Sequence, residues 1–224
     1  MAGLIALVGG DEFRVGCEGM DQAILAATGV QRPSVLVIPT AAASENPSKA
    51  ASSGTAYFSS LGADASALMV LEAAQANDEG FVSPVDGADA IYFTGGNPNH
   101  LLDTLVGSVL LDKVREVLRR GGVLAGSSAG AMVLGSWMRY GGWRETLGIV
   151  PGVATLPHHE RGDPEAVAKE LAESAPSDVT VLGIDGKTCC GGVGHRWEVL
   201  GEGGVTVYRE GGWRRFTAGE ALTL

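Results

Sequence analysis

Six short apolar runs set the strongest limit on how this chain can fold. Gly3–Gly10 (GLIALVGG), Ser34–Thr40, Ala67–Leu71, Ala90–Thr94, Val123–Gly126 and Val179–Ile184 are dominated by Val, Ile, Leu and Ala, with no polar residue at every second place. A strand with one face in water alternates apolar and polar residues. Runs without that alternation are strands covered on both faces, as in parallel sheets. Helical stretches separate them. Met20–Ala27 is short and apolar-rich, and Pro47–Leu61 follows a turn signal. Leu110–Arg120 puts Leu110, Val114, Val117 and Leu118 on one face and is closed by Gly121-Gly122. Pro164–Ser174 opens with Pro and an acidic residue, an N-terminal helix signature. Alternating strand and helix predicts a three-layer α/β fold around a mostly parallel sheet. After Cys190 the pattern becomes apolar–polar alternation around glycine pairs, which predicts C-terminal antiparallel β-hairpins.

The 224 residues show no linker, repeat or charge block, so residues 1–224 are read as a single domain. Sixteen Lys and Arg against 26 Asp and Glu leave a net charge of −10. Such a chain repels phosphate backbones and anionic lipid surfaces, so neither nucleic acid nor membrane is expected as a partner. No apolar stretch reaches the roughly 18 residues of a membrane helix. The N-terminal apolar run lacks a basic flank and reads as a first strand, not a signal peptide. Three cysteines, Cys17, Cys189 and Cys190, form neither a disulfide framework nor a zinc-ligand spacing. The expectation is a cytoplasmic protein with no metal and no cofactor; a homodimer is compatible with the sequence.

The sharpest local motif is Gly126-Ser127-Ser128-Ala129-Gly130, a G-x-S-x-G pattern between a buried strand and a helix start rich in small residues. In a nucleophile elbow the strand turns sharply into a helix with the serine at the tip, and the tight backbone admits only small neighbours. The plain alternative is a glycine-rich turn with a capping serine. A serine nucleophile needs a histidine base oriented by a carboxylate. Four histidines are present: His100, His158, His159 and His195. The adjacent pair His158-His159 follows Pro157. Asp185 closes the run Val179–Ile184 and is either the acid or an ordinary Asp-Gly turn. Thr94-Gly95-Gly96-Asn97 ends another buried run, where a glycine amide can face a developing oxyanion unobstructed.

In that order, FTGGN, RRGGVLAGSSAGA, a Pro-His segment and VLGID resemble the aspartyl dipeptidase (peptidase E) and cyanophycinase family of serine peptidases. The resemblance spans roughly Gly3 to Asp185. It implies a flavodoxin-like or class I glutamine amidotransferase-like sandwich and hydrolysis of small peptides through an acyl-enzyme. By motif position Ser128 matches the nucleophile, His158 the base with His159 as the fallback, and Gly96 and Ala129 the oxyanion-hole amides. Asp185 is the nearest acid to the family's glutamate, whose place Gly186 takes. Asn97 is expected to hold substrate or the loop itself. Pro164 stands where the family's aspartate-binding arginine aligns, with Arg161 the available substitute, so strict Asp-Xaa specificity is not expected. Two rival readings remain at this stage. One is an α/β-hydrolase-type esterase using Ser128, Asp185 and His195. The other is a non-catalytic binding protein on the same scaffold.

Overall fold

The computed structural model describes residues 3–209 and 212–224. In chain order it runs β1 (Ile5–Val8), α1 (Glu18–Ala26), β2 (Ser34–Ile38), α2 (Pro47–Ser60), β3 (Asp64–Ala67), α3 (Ala73–Ala76), α4 (Glu79–Val82) and β4 (Ala90–Phe93). It continues through α5 (Pro98–Leu105), α6 (Val109–Arg119), β5 (Val123–Ser127), α7 (Ala129–Leu134), β6 (Trp137–Arg139), β7 (Trp143–Glu145), β8 (Val153–Pro157) and α8 (Pro164–Ser174). The remainder is β9 (Thr180–Ile184), β10 (Thr188–Val193), β11 (Arg196–Gly201), β12 (Gly204–Arg209), β13 (Gly212–Thr217) and β14 (Ala221–Thr223).

Eight strands form the main sheet in the order β14-β11-β10-β1-β5-β4-β2-β3. From β1 to β3 the pairings are parallel, and from β1 to β14 they are antiparallel. The unalternating runs have the cause inferred for them. Leu7, Leu36, Ile38, Ile91, Phe93 and Leu124 point into the larger core, where α5, α6 and α7 contribute Leu101, Val114 and Met132. Their neighbours Val8, Val35, Val37, Tyr92 and Ala125 point to the other face, against Met20 and Ile24 of α1 and Phe58 of α2. Burying each such Leu, Ile, Val or Phe contributes about 1.5–3 kcal/mol. A polar substitution on either face of β5 therefore breaks a core.

A second sheet, β13-β12-β9-β8-β6-β7, packs on the larger core through residues such as Leu182, Ile184, Val205 and Val153. Its strands β6, β7 and β8 lie outside the six apolar runs, and β9 belongs here rather than in the main sheet. The strand expected at Ala67–Leu71 ends at Ala67. It lies at the sheet edge, and Leu68 and Val70 are buried just beyond it, with the Val70 carbonyl accepting from Thr40 Oγ1 at 2.6 Å.

Every parallel strand of the main sheet points its carboxyl end the same way. β1 lies between β5 and β10, while the chain leaves it to build β2 on the far side of β4. Open α/β sheets bind ligands at such a change of winding direction, outside the carboxyl ends of the strands.

Candidate active site

A cavity of about 640 Å³ lies at that place. Asp11 to Arg14 after β1, Ala42 to Ser53 around the start of α2, Gly95 and Gly96 after β4, Ser128 after β5 and His158 after β8 border it.

Ser128 sits between β5 and α7 with φ 49° and ψ −107°, a backbone conformation that L-residues rarely adopt. Holding a non-glycine residue there costs about 1–3 kcal/mol and requires over-determined surroundings. Those surroundings are visible. Ser128 N–H donates to the Val8 carbonyl at 2.9 Å and its own carbonyl accepts from Met132 N–H at 3.0 Å. A Cβ on Gly126 would lie 2.5 Å from the Gly130 carbonyl carbon, and one on Gly130 would lie 2.5 Å from the Phe93 carbonyl oxygen. Both glycines of the motif are thus required by packing. The Ser128 hydroxyl makes no capping bond to α7, so the plain capping reading does not hold.

Gly95 and Gly96 border the cavity with Ser128, and Ala129 follows the serine in the chain. Gly95 N–H donates to Glu12 Oε1 at 2.8 Å and Asn97 N–H to the Ala41 carbonyl at 2.7 Å. Gly96 lies between them at φ 139°, and a Cβ there would sit 2.2 Å from the Ala41 carbonyl oxygen. Ala129 opens α7, where a helix cannot supply an acceptor. Among the described residues neither the Gly96 nor the Ala129 N–H has a backbone acceptor in the surrounding turns. Asn97 caps α5, its side chain accepting from the amides of Asn99 and His100 at 3.0 and 3.2 Å, so it holds the loop.

The four histidines separate cleanly. His100 bonds the Leu71 carbonyl at 2.8 Å. His159 is buried, with Nε2 2.7 Å from the Tyr208 hydroxyl and its ring over Gly183; burial pushes its imidazole below the usual value. His195 bonds the Leu224 carbonyl at 2.7 Å. Antiparallel β10 pairs Cys189 with Val8 but Gly192 with Ile5, so the chain reaches His195 at the opposite end of β1 from Ser128. The esterase constellation therefore does not assemble. His158 alone borders the cavity. Its backbone is left-handed (φ 54°, ψ 40°), its N–H donates to the Gly9 carbonyl at 2.8 Å, and its ring lies over Gly10. Its Nδ1 is buried without a partner.

The structure does not bring Asp185 to His158. The Asp185 carboxylate accepts from Gly204 N–H at 2.9 Å and pairs with Arg215 of β13. It ties β9 to the C-terminal hairpin because an aspartate buried there must be neutralised. Arg161 lies off the cavity, exposed and paired with Glu160 at 3.3 Å. The cations that do border the cavity are Arg14 and Lys49, facing the acids Asp11, Glu12 and Glu45. Glu12 also accepts from the Ser127 hydroxyl at 2.8 Å. None of these five was singled out from the sequence. The available signal was their place directly after the first two parallel strands. Asp11, His158 and Glu160 bring one donor atom each within 4.8 Å of one another, the one such grouping among the described residues. All three cysteines are free and buried, and burial pushes the Cys17 thiol up to about 11, which leaves them poor nucleophiles.

Comparison with known proteins gives a consistent result. Peptidase family S51 matches residues 4–196. A cyanophycinase from Geminocystis herdmanii is 28% identical over 218 residues, covering 91% of this chain and 79% of that protein. A cyanophycinase from a Nostoc species is 27% identical over 219 residues, covering 91% and 72%. The crystal structure of a peptidase from an acI-B1 actinobacterium superposes with a TM-score of 0.88 at 30% identity, covering all of this chain and 98% of that one. A candidate peptidase E protein from Listeria monocytogenes EGD-e superposes with a TM-score of 0.60 at 19% identity over 93% and 99% of the two chains, a likeness of fold.

Proposed function

Since the chain belongs to peptidase family S51 and is a serine-type peptidase, we propose that it hydrolyses amide bonds of small peptides through an acyl-enzyme on Ser128. The observation that carries this reading is the strained elbow. It presents a hydroxyl unused by the helix cap to the cavity that His158 and Gly96 also border. Ser128 Oγ attacks the substrate carbonyl carbon while its proton passes to His158. The carbonyl π electrons move onto oxygen, where the Gly96 and Ala129 amides stabilise them. Collapse breaks the C–N bond, and His158 returns the proton to the leaving amine. Water, deprotonated by His158, then releases the acid and regenerates Ser128.

Substrate choice follows from the charges on the lining. An acidic side chain needs a planar, permanently charged partner to offset its lost hydration. Arg161 does not provide one, Pro164 is the first residue of α8, and Arg14 is 70% exposed. Asp11, Glu12 and Glu45 instead favour neutral or basic peptides. The three buried free thiols fit a reducing compartment, the cytoplasm. No helix among the described residues is long and apolar enough to cross a membrane.

The test is covalent labelling by a fluorophosphonate, followed by hydrolysis of a dipeptide panel and of cyanophycin. Wild-type labelling that disappears in Ser128→Ala and falls steeply in His158→Ala is expected. Absence of wild-type labelling would instead indicate a binding protein on this scaffold. Faster cleavage of Asp-Xaa than of Ala-, Leu- or Arg-Xaa would overturn the specificity argument.

A further inference from the structure

We propose that Asp11, not Asp185, is the positioning residue for His158; the inference rests on Ser128 and His158 acting as described above. An imidazole that alternately takes and gives a proton needs a carboxylate to fix its tautomer and balance the charge it acquires. Asp185 is committed to Arg215 and the Gly204 amide. Two other carboxylates lie near a ring nitrogen of His158, those of Asp11 and Glu160, with donor atoms of all three residues inside 4.8 Å. A separation of that size is closed by one bridging water or by a small side-chain rotation.

Asp11 is favoured over Glu160 by three observations. It borders the cavity together with Ser128 and His158, whereas Glu160 does not. Glu160 is already engaged, accepting from Gly186 N–H at 2.7 Å and pairing with Arg161 at 3.3 Å. The Asp11 carboxylate has one ion-pair partner, Arg14 at 3.7 Å, itself 70% exposed. The local backbone is also built around this placement. Gly10 (φ 124°) and Asp11 (φ 58°) both adopt positive φ, so the chain doubles back after β1. Any side chain on Gly10 would occupy the His158 ring. A Cβ on Gly186 would lie 2.5 Å from Asp11 Oδ2, so the glycine leaves room for this carboxylate beside the histidine segment.

The test uses the full-length protein and three readouts. The first is the rate of fluorophosphonate labelling at Ser128. The second is the ¹⁵N signature of the His158 ring nitrogens, which reports the tautomer without requiring activity. The third is far-UV circular dichroism, as a check of folding. Asp11→Asn should slow labelling about a hundredfold or more, the scale on which losing a triad carboxylate acts, and should change the His158 tautomer signature. Asp11→Glu should recover part of the rate. Gly186→Ala, which removes no polar group, should also slow labelling by pushing the Asp11 carboxylate aside. Folded Asp185→Asn should retain the wild-type His158 signature. Wild-type labelling rates and an unchanged His158 signature in Asp11→Asn would overturn the proposal. So would an altered signature in Glu160→Gln or Asp185→Asn with none in Asp11→Asn. If wild-type protein is not labelled, the nucleophile assignment fails, and the ¹⁵N signature still decides whether Asp11 governs His158.

Discussion

Replacing Asp21 by Asn should remove a pH dependence of stability that the fold builds into α1. Asp21 is fully buried. One carboxylate oxygen accepts from the Tyr57 hydroxyl at 2.9 Å, while the other has no partner. Burial is the main cause that raises its pKa, from 3.8 to about 7, with the charges of Glu12 and Glu18 adding to it. Below about pH 4 both the folded and the unfolded chain hold this proton. Between about pH 4 and 7 only the folded chain keeps it, so stability falls as pH rises. Above about pH 7 both forms are ionised and the dependence levels off. At 1.36 kcal/mol per pH unit, the loss across the window is about 4 kcal/mol. Asn keeps an acceptor for Tyr57 but cannot ionise. It also puts an amide N–H₂, a buried donor without an acceptor, in the place of the unpartnered oxygen, costing about 1–3 kcal/mol at every pH. Urea unfolding of both proteins at half-unit steps from pH 4 to 8 isolates the term. The stability of Asp21→Asn relative to wild type should rise by up to about 4 kcal/mol over that range. A difference that stays flat, or one that falls, would refute the argument from burial.

Three further outcomes follow from the site. Gly130→Ala should collapse the elbow, because its Cβ would sit 2.5 Å from the Phe93 carbonyl; a melting temperature and a labelling rate both close to wild type would contradict this. His159→Phe should lose the Tyr208 bond and about 1–3 kcal/mol of stability while retaining Ser128 labelling, which denaturant titration and probe kinetics read separately; loss of labelling in a folded variant would move His159 into the site. Glu12→Ala should release the Gly95 amide and the Ser127 hydroxyl, lowering kcat more than it raises KM against the best dipeptide, by roughly 10- to 100-fold; unchanged kcat would show that the loop holds its shape without Glu12.

The elbow was legible because its chemistry is local. A strand, a strained serine and glycines on either side occur within eight residues; Gly126 is required by Gly130 inside that segment, while Gly130 is required by Phe93 on the neighbouring strand β4. Gly96 stood out for a related reason, since it follows a buried run whose carboxyl end reaches the cavity; His158 stood out by its Pro157-His158 segment and the family resemblance, not by β8. The reading went astray where residues had to be joined across the chain. Asp185 closes an apolar run as a triad acid would, but β9 lies in the second sheet beside β12, and Arg215, thirty residues later, takes its carboxylate. Asp11, Glu12, Arg14 and Lys49 carry no motif of their own, so nothing in their spacing marks them.

The sequence alone determined that most of its apolar runs are buried strands, hence the α/β architecture, and which serine sits strained at a strand–helix turn. Both are consequences of short-range sterics and apolar patterning. Tertiary structure decided which carboxylates lie near His158 and which charges line the cavity. Those placements depend on strand order, and strand order is set by how two sheets share one core rather than by any single segment.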